Sequence, residues 1–324
     1  TDYTWPSTDH EAEVLAEVGA ALLVAKSGSE DELKMLVPEA DAILTCFARV
    51  SAEVIQRGRK LQVVGRYGIG VDNIAVEEAT RLGIPVTNVP AYCVDEVAEH
   101  ALAFMLGLAR KVYRYNAAVR EGNWSLDTGT PIHRFRGQTL GIIGFGHVGQ
   151  SLASKVSGLG IRVVAYDPVV HDEILRRYNV EGTGLNELLE RADFVSIHAP
   201  LIPQTKGMIN RDRLNRMKSS AFLVNTARAG IVDQEALLTA LSEGWIAGAA
   251  LDVFDPERLP ADHPLLMLPN VLATPHVAFY SEESLQELAV KAARNVARIL
   301  SGRRPEALVN PEVLDLPRWA HLQS

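Results

Sequence analysis

The chain reads as an α/β protein made of two doubly wound parallel-sheet domains. Three observations carry that reading. Short apolar runs alternate with helical patterns almost throughout, as expected of parallel strands joined by crossover helices. The 324 residues exceed what one hydrophobic core usually serves, so two domains are expected. The helical pattern from Ser281 to Ser301 has no strand after it, which fits a last helix that returns to the first domain.

Taken in order, the runs Ala20 to Val24, Ala42 to Thr45, Gln62 to Gly65 and Pro85 to Asn88 are expected strands of one sheet. Helix-like segments near Glu11 to Glu17, Glu30 to Leu36, Ser51 to Gly58 and Val76 to Leu82 separate them. The opening TDYTWP reads as the tail of a strand already under way, so a removed targeting segment stays open. Asp95 to Glu121 follows as one continuous helix or a broken pair. The later runs Leu140 to Gly144, Arg162 to Tyr166, Phe194 to His198, Ala221 to Asn225, Ala247 to Leu251 and Val271 to Ala273 suit the strands of a second sheet. The first domain is therefore expected over residues 1–103 and 283–324 and the second over 104–282. Their two crossings would form a hinge, and the cleft between them the active site.

Net charge is -8 and no basic run occurs, which argues against a nucleic acid or an anionic membrane as the main partner. The longest apolar stretch, Ala101 to Ala109, falls well short of the roughly 18 residues that cross a bilayer. The two cysteines, Cys46 and Cys93, have neither CxxC nor metal-ligand spacing. They read as reduced structural thiols in a cytoplasmic protein, and no metal site is expected.

The most informative stretch is Thr139 to Gln150, TLGIIGFGHVGQ, where an apolar run feeds into Gly144-x-Gly146-x-x-Gly149 and then a helical pattern. Gly144 allows the tight turn, Gly146 lets backbone approach a pyrophosphate, and Gly149 lets helix pack closely on strand. The helix N-terminus behind them suits phosphate. The next apolar run ends at Asp167, 18 residues past Gly149, about where a ribose-binding carboxylate is expected. An acid there accepts from both ribose hydroxyls and repels a 2′-phosphate, so NAD is expected rather than NADP.

Three later strand ends each carry an isolated functional group: Arg228 after Asn225, Asp252 and Glu257 after Leu251, and His276 after Ala273. Ligands in open parallel sheets bind outside the carboxyl ends of the strands, so the three should converge. Arg228 would hold the carboxylate and carbonyl oxygen of a 2-oxo acid through its planar fork. His276 would donate a proton to the oxygen that gains charge on hydride addition, and Glu257 would favour its imidazolium. Asp252 would lie nearer the nicotinamide carboxamide. Alone, each would more often be an ordinary surface or capping residue; together, behind a dinucleotide loop, they are not.

These residues resemble the D-isomer-specific 2-hydroxyacid dehydrogenases over essentially the whole chain, phosphoglycerate-dehydrogenase-like members included, through IIGFGHVG, HAPLIPQTKGMIN, FLVNTARAGIVD, ALDVFDPE and TPHVAFYSEES. The resemblance implies two Rossmann-like domains, the substrate domain flavodoxin-like, and places the catalytic trio on Arg228, Glu257 and His276. It further implies cofactor contacts at Ile69, His147, Val148, Ala199, Thr226, Ala227 and Ala278 besides Asp167 and Asp252. In the turn Gly65 to Asn73, the segment Tyr67, Gly68, Ile69 and Gly70 would meet the substrate carboxylate. Lys111 to Trp124, with His133 and Arg134, resembles the arm of a two-fold homodimer.

The implied function is NAD-dependent hydride transfer between nicotinamide and a D-2-hydroxy acid or 2-oxo acid, of glyoxylate, hydroxypyruvate or phosphoglycerate type. The segment HVAFYSEES also resembles NAD-sensing transcriptional corepressors of the same fold, which is the alternative function. Arg49, Tyr67 and Tyr92, with Trp124 of the partner subunit, are the side chains expected to surround the rest of the substrate, a mixture that names no ligand.

Overall fold

Parallel pairing is what alternating strands and helices demand, and every ladder is parallel. The computed structural model describes residues 1–322. Contacts divide the chain into one unit of Thr1–Tyr92 with the segment from Ser281 on, and another of Cys93–Tyr280.

The first unit holds strands β1 (Ala42–Thr45), β2 (Val63–Arg66) and β3 (Val86–Thr87), in the order β1-β2-β3. Every residue of β2 is buried. A Cβ on Gly65 would lie 2.7 Å from Val296 Cγ2 and 2.8 Å from Leu44 Cδ2, so the missing side chain is what lets the helix Glu282–Leu300 lie against this strand. That helix starts at a capping box, in which Ser281 Oγ accepts from Ser284 N at 2.9 Å and Ser284 Oγ accepts from Ser281 N at 2.8 Å.

Two expectations fail in this unit. Ala20 to Val24 forms no ladder, and Thr1 to Thr4 none either. A strand exists only where a neighbour lies about 4.8 Å away to take its hydrogen bonds. Here Ala20 to Val24 instead lines a cavity of about 550 Å³ whose walls include Ile43 and Leu44 of β1, and Leu23 is 72% exposed.

The second unit carries β4 (Thr139–Ile143), β5 (Arg162–Tyr166), β6 (Glu181–Gly182), β7 (Phe194–Ile197), β8 (Phe222–Asn225), β9 (Gly248–Leu251) and β10 (Val271–Ala273). Their order is β10-β9-β8-β7-β4-β5-β6. The chain moves outward from β4 to β5 and returns to β7 on the other side of β4, so the switch point lies between β4 and β7. The edge strand β6 is two exposed residues long, too short and polar to leave an apolar run. β4, by contrast, is buried at all five positions, as a parallel strand covered on both faces should be.

Asp95 to Glu121 resolves into helices Val94–Arg110 and Val112–Arg120, broken at Lys111 with φ +50°. Ala98, Ala101, Met105 and Leu108 of the first share one core with Leu152 and Val156 of the helix His147–Val156. The whole long helix therefore lies with the second unit, and the division falls at residue 92 rather than within that helix.

Candidate active site

The glycine turn after β4 is shaped by contacts that exclude side chains. Gly144 has φ +90°, and a Cβ there would sit 2.6 Å from the backbone nitrogen of Ala199. The loops leaving β4 and β7 thus touch at the switch point. A Cβ on Gly149 would lie 2.5 Å from Gly144 O, which is the close packing of helix on turn. At Gly146 a Cβ would meet nothing within 4 Å, so this side of the turn is open to an approaching group. Gly146 is the N-cap of His147–Val156 and no side chain caps that end; the first-turn amides of His147 and Val148 therefore face outward, as an anion requires.

Asp167, at the end of β5, is tied into this turn. Its Oδ2 accepts from Phe145 N at 2.8 Å, while Oδ1 accepts from Val169 N at 2.9 Å and Val170 N at 3.2 Å. A carboxylate offers about four acceptor positions, so Oδ2 keeps capacity for a ribose hydroxyl. Thr226, past β8, is buried and its Oγ1 has no protein partner. An orphaned hydroxyl costs free energy unless a ligand satisfies it. The open glycine, the uncapped helix and this hydroxyl all fit a bound dinucleotide.

Strands β8, β9 and β10 are neighbours, which brings the three predicted strand-end loops side by side. Buried Asn225 braces the first loop: its Oδ1 accepts from Ala227 N at 3.0 Å and its Nδ2 donates to Arg228 O at 3.0 Å. Arg228 Nη1 donates to Ala227 O at 2.8 Å. Asp252, wholly buried, anchors the third loop. Its Oδ1 accepts from Thr274 Oγ1 at 2.5 Å and Val277 N at 2.9 Å, and its Oδ2 accepts from Ala278 N at 2.8 Å. His276 stands in the middle of that loop with φ +56°. Its Nδ1 lies 2.5 Å from Glu257 Oε1, so the structure joins two of the three expected catalytic residues directly.

Sequence reasoning gave no role to Asn225, Thr274 or His198. His198 follows β7, and its Nε2 lies 2.9 Å from Ser196 Oγ. The residue keeps some accessible surface, but burial of the ring pushes its pKa down to about 4. The available signal was position: each is a small polar residue or histidine at or next to the carboxyl end of a strand of the sheet that carries the glycine turn.

In the first unit, the turn after β2 is held by main-chain and amide bonds. Gly68 has φ +138°, Val89 N donates to Gly68 O at 3.0 Å, and Asn88 Nδ2 donates to Ile69 O at 2.9 Å. Ile69 is exposed. Tyr67 departs from the expectation of a substrate-facing ring. It is buried edge-on against Trp5, with ring centroids 4.9 Å apart, and burial with the nearby Glu11 carboxylate pushes its pKa up. What this position presents is backbone.

Residues 102–278 match the family described as D-isomer specific 2-hydroxyacid dehydrogenase, NAD binding domain. The chain belongs to that family. It is an NAD-dependent oxidoreductase of 2-hydroxy acids. This dehydrogenase is 42% identical over 282 residues to a glyoxylate reductase of Korarchaeum cryptofilum, covering 86% of this chain and 85% of that one. It is 38% identical over 309 residues to a D-3-phosphoglycerate dehydrogenase of Methanocaldococcus jannaschii, covering 95% of this chain but 58% of the relative. Among solved structures, a D-lactate dehydrogenase from Aquifex aeolicus, complexed with NAD and lactic acid, superposes with a TM-score of 0.84 at 27% identity, covering 95% of this chain and 94% of that one.

Proposed function

We propose that this dehydrogenase reduces a small 2-oxo acid of the glyoxylate or hydroxypyruvate type with NADH, using Arg228, His276 and Glu257. The carrying observation is the contact of 2.5 Å between His276 Nδ1 and Glu257 Oε1. It commits one imidazole nitrogen to a carboxylate, so proton exchange with substrate falls to Nε2. The contact at Nδ1 also fixes the orientation of the ring from which Nε2 acts.

Bound NADH supplies the hydride. Arg228 binds the substrate carboxylate and the carbonyl oxygen, fixing the ketone face. Charge grows on that oxygen as the carbonyl carbon is reduced, and His276 Nε2 protonates it; Glu257 holds the ring in place throughout. In the oxidative direction the same nitrogen takes the hydroxyl proton.

Tyr67, Gly68, Ile69 and Gly70 contribute through backbone amides to the substrate carboxylate, and Ile69 borders the cofactor. His147, Val148, Ala199, Thr226, Ala227 and Ala278 complete the cofactor contacts, whereas Asp252, expected among them, is wholly buried and supports the site through Thr274 and the amides of Val277 and Ala278. Asp167 selects NAD by repelling a 2′-phosphate. We assign the substrate role to the first unit and the cofactor role to the second. A reducing, cytoplasmic setting agrees with Cys46 and Cys93 both being buried, away from the surface where secreted proteins are stapled. No helix of the described residues is long and apolar enough to cross a membrane.

The test is oxidation of NADH by the purified protein across a panel of 2-oxo acids running from glyoxylate to phosphohydroxypyruvate, with NADPH and His276→Ala in parallel. Turnover of a small 2-oxo acid with NADH, lost in the variant, is the expected result. Turnover confined to phosphohydroxypyruvate would overturn the substrate assignment.

A further inference from the structure

His100 stands outside the trio, on the helix Val94–Arg110, yet it reaches the loop that carries His276. Its Nε2 lies 3.0 Å from Thr274 Oγ1, and Thr274 Oγ1 lies 2.5 Å from Asp252 Oδ1. A hydroxyl has a single hydrogen, and an ionised carboxylate can only accept. Thr274 therefore donates to Asp252, and its contact with His100 forms only if Nε2 carries a proton. This fixes the direction of the relay: His100 Nε2–H donates to Thr274, whose hydroxyl donates to Asp252. Burial lowers the pKa of His100, and the Asp252 charge opposes that. The ring edge packs against Phe104 with centroids 4.5 Å apart, which sets the imidazole plane.

Asp252 is the end of the relay and the anchor of the loop, because it also takes the amides of Val277 and Ala278, the two residues after His276. His276 has φ +56°, a left-handed conformation that a histidine keeps only when its surroundings hold it there. Loss of the His100 N–H would leave the Thr274 hydroxyl without the donor that orients it toward Asp252, and the loop should then relax toward ordinary backbone, carrying the imidazole away from Glu257.

We propose that His100 is a positioning residue for His276, acting through the hydroxyl of Thr274 and the buried carboxylate of Asp252. The proposal rests on the reading of His276 as proton donor. Its alternative is that His100 only packs against Phe104.

Four variants of the full chain separate these, each assayed for kcat and KM with NADH and the best 2-oxo acid, beside a thermal unfolding scan. His100→Phe keeps an aromatic ring but removes the donor. His100→Gln places an amide N–H near the reach of Nε2, whereas His100→Asn ends one bond short. Thr274→Val cuts the relay at its middle. The expected result is a fall in kcat of about 10-fold or more for His100→Phe, His100→Asn and Thr274→Val, since small misplacements of a reacting group cost about that much. KM for the 2-oxo acid should move less than kcat, and His100→Gln should recover most of the activity. The double variant His100→Phe/Thr274→Val should be no slower than the slower single one, because both remove the same link.

Wild-type kcat in His100→Phe, with His276→Ala inactive, would overturn the proposal and leave the role of His276 standing. Multiplying losses in the double variant, with no recovery by His100→Gln, would overturn it in favour of packing. Full activity in His276→Ala would remove the underlying reading itself.

Discussion

His276 shows how much a single residue here depends on its neighbours. Its positive φ is unfavourable by roughly 1–2 kcal/mol for a side chain with a Cβ, and Asp252 offsets this by binding the next two amides. Replacing His276 with Ala should lower kcat by about 10²-fold to 10⁴-fold, the usual yield of a positioned acid, while NADH binding measured by fluorescence persists. Asp167 braces the glycine turn, and selection of NAD is the further role proposed for it. Asp167→Ala should weaken NADH by about 10-fold, the worth of a charged hydrogen bond, and raise the ratio of NADPH to NADH turnover; an unchanged ratio would reject its role in selection. His198 bears on pH. Its folded pKa of about 4 lies below the unfolded value, so the unfolded chain binds the proton more readily. The stability it contributes is whole above about pH 6.5 and is lost as pH falls toward 4, at up to about 1.4 kcal/mol per pH unit. Urea unfolding from pH 7 to 4 should show that slope, and His198→Gln should flatten it.

At the scale of elements, the chemistry depends on where strands stop. β4 ends in a turn that touches the loop after β7, and a side chain at Gly144 would collide with backbone at Ala199. Backbone cannot move aside as the end of a flexible side chain can. Gly149 is similarly tight against Gly144 O. Gly149→Ala should push the helix His147–Val156 off the turn, lowering stability by about 1–3 kcal/mol and weakening NADH more than that loss alone explains. Calorimetry with and without NADH checks both. The glycine spacing in the sequence foretold a tight turn at Gly144 and close packing at Gly149, but not that the turn abuts the loop carrying Ala199. The bracing by Asn225 and Thr274 was not foretold, since a hydrogen bond between loops of different strands leaves no periodic trace.

The whole molecule has an exposed apolar set that its own core does not use. Val112, Val119, Trp124 and Leu126 are exposed, Trp124 at 82% and Leu126 at 76%. They fall within or next to the segment expected to form a homodimer arm. We propose that this arm is the dimer contact, as a cluster of aromatic and aliphatic anchors is what an interface core needs. Light scattering should give a dimer for the wild type and a monomer for Trp124→Asp/Leu126→Asp; a monomeric wild type would reject it.

The division of the chain shows the limit of sequence pattern. The return of the last helix to the first unit was legible because an amphipathic helix without a following strand has to bury its face somewhere. The fate of the helix Val94–Arg110 was not, because a pattern of buried residues says that one face is covered but not by which core. Ala20 to Val24 failed for the same reason, since an apolar run becomes a strand only beside a partner.

By itself the sequence determined the parallel α/β class and the dinucleotide turn, and it singled out Arg228, Glu257 and His276 as candidates, because these follow from local periodicity and from residue chemistry at strand ends. Only the tertiary structure decided that Glu257 meets Nδ1 of His276, that Tyr67 turns inward, and that His100 reaches Asp252 through Thr274. Those depend on register and packing between segments far apart in the chain, and no local pattern encodes a distance.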